Sequence, residues 1–441
     1  MIRACLLIML SISPALAQDR CLRLPEAVDA ALDWAPQVAV AGSEREVARS
    51  RVLAARSRNL PQFNLFAQAG IGEAQPIDTV RDDQVGIRGN WELYSFGQRQ
   101  AAIEEARQTL RAAQAGELEA QNDLAEQVIL LYYEALRTAR IASLQRAQTE
   151  GYAREAETIT KRLDRGLVTR SDARQIEARY ASSLAEQELA DLRRDQTQAE
   201  LSVVTDVEVT CVEENSALAL GQSLADVLGR LNPTEALLLA EDSAYAMLRA
   251  RARVRSAQAR LRGANRAGLP TLSLTAFVLG EYDDSDLLID DRWSQEDRVG
   301  FSVRQDIFTG GRLRAERSES RARLRGAAAD LAIERQRLEM EVRRSVLGVQ
   351  RQGAVATRRE AASLAAFDRL EATSLELERG TKTITDFVLA NDDYYRTAID
   401  EVAASWARDQ ELVRLASLTG LLLEIDYREV REPAEEVRLP E

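Results

Sequence analysis

The chain has 441 residues, 29% of them charged and only 5% aromatic, and its 71 acids exceed its 58 Lys and Arg to leave a net charge of −13. That profile suits long solvated helices and opposes nucleic-acid binding, which needs clustered positive charge. Histidine is absent, so Ser-His-Asp and Cys-His catalysis are excluded, the commonest metal ligand is missing, and no catalytic residue, metal or cofactor is expected.

Met1-Ile2-Arg3 is a short basic start, residues 4–16 are mostly apolar, and Ala15-Leu16-Ala17 fits signal-peptidase cleavage, so residues 1–17 read as a signal peptide removed before Gln18. The apolar run, interrupted by Pro14, falls short of the about 20 residues that a membrane-spanning helix needs. Export leaves Cys21 and Cys211 in an oxidising compartment, either as a disulfide or as two unpaired buried thiols.

A first repeat is expected over 18–210. A helix at 25–58 ends at Leu60-Pro61, because proline disfavours helix in the residue before it. Apolar residues alternate with polar ones over 62–72 and again over 84–93, the period of a strand, on either side of a polar loop at 73–83. After Gly97 an amphipathic helix runs from Gln98 to Leu163, about 100 Å at ~1.5 Å per residue. Gly166 interrupts it, and Thr169 or Ser171 caps a returning helix to about residue 204.

Residues 211–232 read as a linker, partly helical, before a second repeat over 233–421. A helix at 233–265 leads through Leu269-Pro270 to a strand at 271–282. A loop at 283–297 follows, bearing Asp283, Asp284, Asp286, Asp290 and Asp291, and then a strand at 298–308. A second long helix spans Leu313 to Leu377, breaks at Gly380 and returns to about Leu418. The remainder, 422–441, is an acidic tail.

The two halves are copies. Arg165-Gly166, Thr169 and Asp172 recur at one constant offset as Arg379-Gly380, Thr383 and Asp386. Phe96-Gly97 with Arg99 answers to Phe308 with Gly310-Gly311-Arg312, and Leu60-Pro61 to Leu269-Pro270. The strands, flanked by Trp91, Tyr94, Phe96, Tyr282, Phe301 and Phe308, suit either a half-buried sheet in a soluble domain or an outer-membrane barrel with interfacial aromatics. Four strands per chain cannot close a barrel by themselves, so the second reading requires several chains in a ring.

The order helix, strand pair, Phe-Gly-x-Arg or Phe-x-Gly-Gly-Arg, long helix, Gly-x-x-Thr-x-x-Asp, helix, given twice after a signal peptide, resembles the TolC family of outer-membrane efflux and secretion ducts. The resemblance covers about Leu24 to Leu421. It implies a mainly α fold with a small β part, in which duplicated long helical hairpins form a trimeric α-barrel tunnel. That tunnel is continuous with a 12-stranded transmembrane β-barrel, four strands from each protomer. It also implies a homotrimer in outer-membrane lipid with its helices in the periplasm. There it works with an adaptor (membrane fusion) protein and an inner-membrane pump, ABC-type or proton-driven, to export drugs or polypeptides.

By that resemblance Arg165, Gly166, Leu167, Arg379, Gly380 and Thr381 form the tips where the adaptor docks. Pro61, Gly97, Pro270, Gly310 and Gly311 mark barrel-helix junctions, and Asp386 belongs to a ring of carboxylates at the tunnel constriction. The family's second aspartate is replaced by Leu389 and a tyrosine before the glycine by Leu377, with Asp392 and Asp393 close by. Asp172 and Asp386 also suit the first turns of their helices, where negative charge meets the helix dipole. Competing with the duct are a soluble periplasmic coiled-coil adaptor and an enzyme. Against the enzyme, Gly70-Ile71-Gly72 and Gly310-Gly311 lack the context of a nucleotide site.

Overall fold

A computed structural model describes residues 21–74, 77–283 and 292–423. The expected signal peptide, the loop acids Asp284, Asp286, Asp290 and Asp291, and the tail from Glu424 lie outside the described residues. The chain divides into two compact units, one of Met1–Ala35, Gln121–Ala240 and Glu341–Glu441, the other of Pro36–Ala120 and Glu241–Met340.

The second of these units holds the sheet. The expected single helix at 25–58 is two, α1 (Leu24–Trp34) and α2 (Pro36–Ser57). Pro36 has no N–H to continue the ladder and holds Ala35 extended, at ψ 121°. Strands β1 (Gln62–Ala74), β2 (Ile77–Tyr94), β3 (Thr271–Asp283) and β4 (Arg292–Arg304) form one antiparallel sheet in the order β1-β2-β3-β4. The hairpin connections are therefore much shorter than the loops expected at 73–83 and 283–297, and the last strand begins and ends earlier than 298–308. A growing ladder satisfies backbone N–H and C=O groups whatever the side chains are, so pairing runs on through polar sequence.

Pairing between β2 and β3 joins the two repeats, with Ile87 opposite Val278 and Trp91 opposite Leu274. Directly paired residues share a face. One face therefore carries Phe63, Leu65, Ile87, Trp91, Val299 and Phe301, and the other Asn64, Gln68, Arg88, Asn90, Ser273 and Ser302. The apolar face is bare: Phe63 is 70% exposed, Leu65 78% and Phe301 74%.

Long helices leave the sheet. These are α3 (Gln98–Asp164), returning as α4 (Arg170–Thr205), and, after α5 (Glu214–Leu228), α6 (Pro233–Ser243), α7 (Tyr245–Arg266) and the strands, α8 (Arg312–Glu378) with α9 (Ile384–Ser405) and α10 (Ala407–Leu418). Two further expectations are revised: 233–265 is broken at Ala244, and the last helix is divided at Trp406.

In the first unit, α5 packs against α10 and α1, burying Leu24, Val28, Leu220, Leu224, Leu412 and Val413. Cys21 and Cys211 are joined in a disulfide with Cα atoms 4.6 Å apart. Beside them Leu22 and Val212 form a parallel bridge. The buried Tyr132 hydroxyl donates to the Leu22 carbonyl (2.7 Å) and accepts from the Glu213 N–H (2.9 Å). Burial pushes this phenol up to about 12.

Candidate functional site at the hairpin turns

The two hairpin turns are built alike. Helix α3 ends with Gly166 at φ 71°, whose N–H donates to the Leu163 carbonyl while Leu167 N–H reaches the Arg162 carbonyl, both at 2.9 Å. At the end of α8, Gly380 has φ 76°, with matching bonds from Gly380 to Leu377 (3.1 Å) and from Thr381 to Glu376 (2.9 Å). These paired bonds satisfy the last carbonyls of each helix and require a left-handed residue, which glycine supplies without steric cost. A Cβ on either glycine would meet nothing within 4 Å. Arg165, Leu167, Arg379 and Thr381 are exposed around them.

Each returning helix opens with a reciprocal cap. Thr169 Oγ1 accepts from the Asp172 N–H (3.2 Å), and Asp172 Oδ2 accepts from the Thr169 N–H (3.1 Å). Asp386 N–H reaches Thr383 Oγ1 at 3.2 Å, and Asp386 Oδ2 accepts from the N–H (3.0 Å) and hydroxyl (2.8 Å) of Thr383. The pattern Gly-x-x-Thr-x-x-Asp is thus a stop, a cap and its partner in succession. Bonding from the Thr383 backbone, then from its hydroxyl, holds the Asp386 carboxyl below the usual carboxylate range.

Behind the turns, Tyr152 and Ile159 of α3, Ala173 and Ile176 of α4, Leu377 of α8 and Ile384, Phe387 and Val388 of α9 form one apolar cluster. Leu377 is buried there, whereas Leu389 is exposed. The two hairpins are tied by Asp392, which accepts from the Tyr152 hydroxyl at 2.6 Å and lies 3.2 Å from the Arg179 guanidinium. Burial, reinforced by the bond to Asp392, pushes the Tyr152 phenol up. Asp393 instead meets Arg369 of α8 at 3.3 Å and Arg396 on its own helix.

Sequence reasoning singled out Asp386 but not Tyr152 or Arg179, since a tyrosine in a heptad-like stripe reads as core and its partner lies 240 residues away. The turns also hold an acid against an acid. Glu155 is raised by burial and further by Glu378, with Arg162 opposing.

The junctions at the sheet are less alike. Gly97 sits at φ 85°, and Gly310 and Gly311 at 59° and 93°. Arg266 packs on Gly97, donating to its carbonyl at 3.2 Å, where a Cβ would come within 2.3 Å of the guanidinium. Arg99 turns back onto the carbonyls of Glu92, Leu93 (3.4 Å) and Arg58 (3.4 Å). Arg312 instead pairs with Asp306 at 2.9 Å and Glu316 at 2.8 Å. Pro61 is exposed and Pro270 half-buried, each immediately before its strand.

The described residues thus combine a four-stranded sheet that has one bare apolar face with duplicated helical hairpins. The family model for outer membrane efflux proteins matches residues 27–205 and 237–421. The chain therefore belongs to the outer membrane efflux protein family, whose members are non-enzymatic outer-membrane channels.

It is similar to Outer membrane protein TolC of Escherichia coli, 24% identical over 416 residues that cover 89% of this chain and 80% of that protein. It is also similar to Outer membrane protein TolC of Vibrio cholerae, 24% identical over 412 residues with 92% of each covered. The crystal structure of the outer membrane protein VceC from Vibrio cholerae superimposes with a TM-score of 0.74 at 20% identity, covering 90% of this chain and 96% of that one. The expected fold class and the absence of catalysis are borne out on these grounds.

Proposed function

We propose that three copies of this chain form a passive conduit across the outer membrane, the exit duct of a tripartite efflux or type I secretion assembly. The observation that carries the reading is the register. Four strands present one apolar face and leave both sheet edges, β1 and β4, unpaired among the described residues. In lipid an open edge is prohibitive, and the smallest bacterial barrels use about eight strands, so neighbours must complete the wall. Three protomers give a 12-stranded barrel in outer-membrane lipid, continued by the helical hairpins as a periplasmic tunnel.

In this reading the turns at Arg165-Gly166-Leu167 and Arg379-Gly380-Thr381 receive the adaptor protein, their open glycines allowing close backbone approach. An inner-membrane pump supplies the energy and selects the drug or polypeptide. Asp386 lines the constriction, and three such carboxylates favour cations.

Membrane fractionation tests the whole. The duct stays with the outer membrane until detergent extracts it, then runs as a trimer. Release by osmotic shock as a monomer would favour the soluble adaptor instead.

A further inference from the structure

We infer that the polar face of the sheet carries an anion-attracting girdle centred on Arg88, a selectivity element opposite in sign to Asp386. The inference rests on the trimeric-barrel reading above. One cross-strand row runs Asn64, Arg88, Phe277, Arg298 over all four strands. It lies on the face opposite Phe63, Leu65, Ile87 and Phe301. Since lipid takes the apolar face, this row faces the water-filled interior.

The guanidinium of Arg88 lies 4.9 Å from the Phe66 ring centroid, and that of Arg298 lies 5.5 Å from the Phe277 ring. Such contacts favour a cation over an aromatic face without neutralising it, although Arg298 is also paired with Glu296. Phe66 is itself seated against Gly86, where a Cβ would fall 3.1 Å from the ring. Arg88, although exposed, thus has a preferred position over the Phe66 ring.

The register also sets Asp82, Glu281 and Asp283 on this face, all toward the hairpin ends, so the positive charge is local to the row of Arg88 and Arg298. Among the described side chains, the acids Glu92 and Glu296 already sit beside arginines, at 3.9 Å from Arg99 and 2.6 Å from Arg298. Neither Arg88 nor Arg304 has an acidic partner among the described residues. Threefold repetition places three copies of Arg88 at one level, where low-dielectric walls focus their field on passing carboxylates, phosphates or small anions.

The test is the reversal potential of the full-length trimer in planar bilayers across a KCl gradient. Arg88→Gln lowers the chloride-to-potassium permeability ratio by about twofold and Arg88→Glu lowers it further, whereas Arg88→Lys keeps it. Should the charge changes impair folding, Arg88→Cys modified after insertion with a cationic and then an anionic thiol reagent moves the ratio in opposite directions. Normal conductance with a reversal potential unmoved by charge at position 88 would overturn the girdle and leave the pore standing. A wild-type trimer that inserts no pore would overturn the barrel reading itself.

Discussion

At Thr383 and Asp386 the cap engages the same carboxylate that the proposed constriction would use. The Asp386 carboxyl is engaged by Thr383, and its folded value lies below its unfolded one. Its contribution is therefore complete above the usual aspartate value of about 3.9 and is lost as pH falls through the lowered one. The protection factors of amides at the start of α9, taken against the intrinsic exchange rate at each pH, should fall only below about pH 4 and stay constant between about pH 5 and 8. Thr383→Ala removes the reciprocal bond and should destabilise the first turn by about 1 kcal/mol, read as faster exchange there at neutral pH. Asp386→Ala should also reduce cation preference in bilayers; unchanged selectivity would leave Asp386 as a cap alone. Asp392 has a different task. Tyr152→Phe should lower the thermal midpoint through the loss of a charge-assisted hydrogen bond, about 1.5 to 3 kcal/mol in ordinary cases, while Arg179 still holds the carboxylate. A midpoint matching the wild type would mean that water replaces the phenol at no cost.

At the level of elements, both hairpin turns combine a left-handed glycine with a reciprocal cap, and that much was legible because each device is local in sequence. Gly166 with Thr169 and Asp172, and Gly380 with Thr383 and Asp386, spell out stop and start within seven residues. The long helices α3 and α8 were legible for the same reason, since an uninterrupted apolar stripe needs no distant partner. Hairpin length was not. Residues 77–83 read as loop because they are mostly polar, yet pairing with β1, joined by β3 at Asp82 and Asp83, extends β2 across them. Nor was the Tyr152–Asp392 tie, whose residues meet only after both hairpins have packed. The turns also admit a clean separation of folding from docking. Gly166→Ala with Gly380→Ala costs about 1 kcal/mol per site in backbone conformation and meets no neighbour inside the protomer. If the turns receive the adaptor as proposed, the trimer should survive this change while adaptor cross-linking falls. An intact trimer whose adaptor cross-linking is unchanged would remove the turns from the docking surface.

For the molecule as a whole, the governing constraint is the sheet's two open edges. Among the described residues β1 pairs only with β2 and β4 only with β3, so the outer N–H and C=O groups of both strands lack partners inside the sheet. Each such group left unpaired in hydrocarbon costs several kcal/mol, a sum that no burial of Phe63 or Phe301 in lipid offsets over about ten residues. A two-chain barrel of eight strands would also close both edges, so closure alone does not set the number of protomers. Cysteine pairs across the edges decide it. Asn64→Cys on β1 combined in turn with Arg298→Cys, Gly300→Cys or Ser302→Cys on β4 samples neighbouring registers on the polar face. In native membranes at least one pair should oxidise to a ladder ending at three chains on denaturing gels. A ladder ending at two would replace the trimer with a dimer, and bonds confined to single chains would mean that the sheet closes on itself.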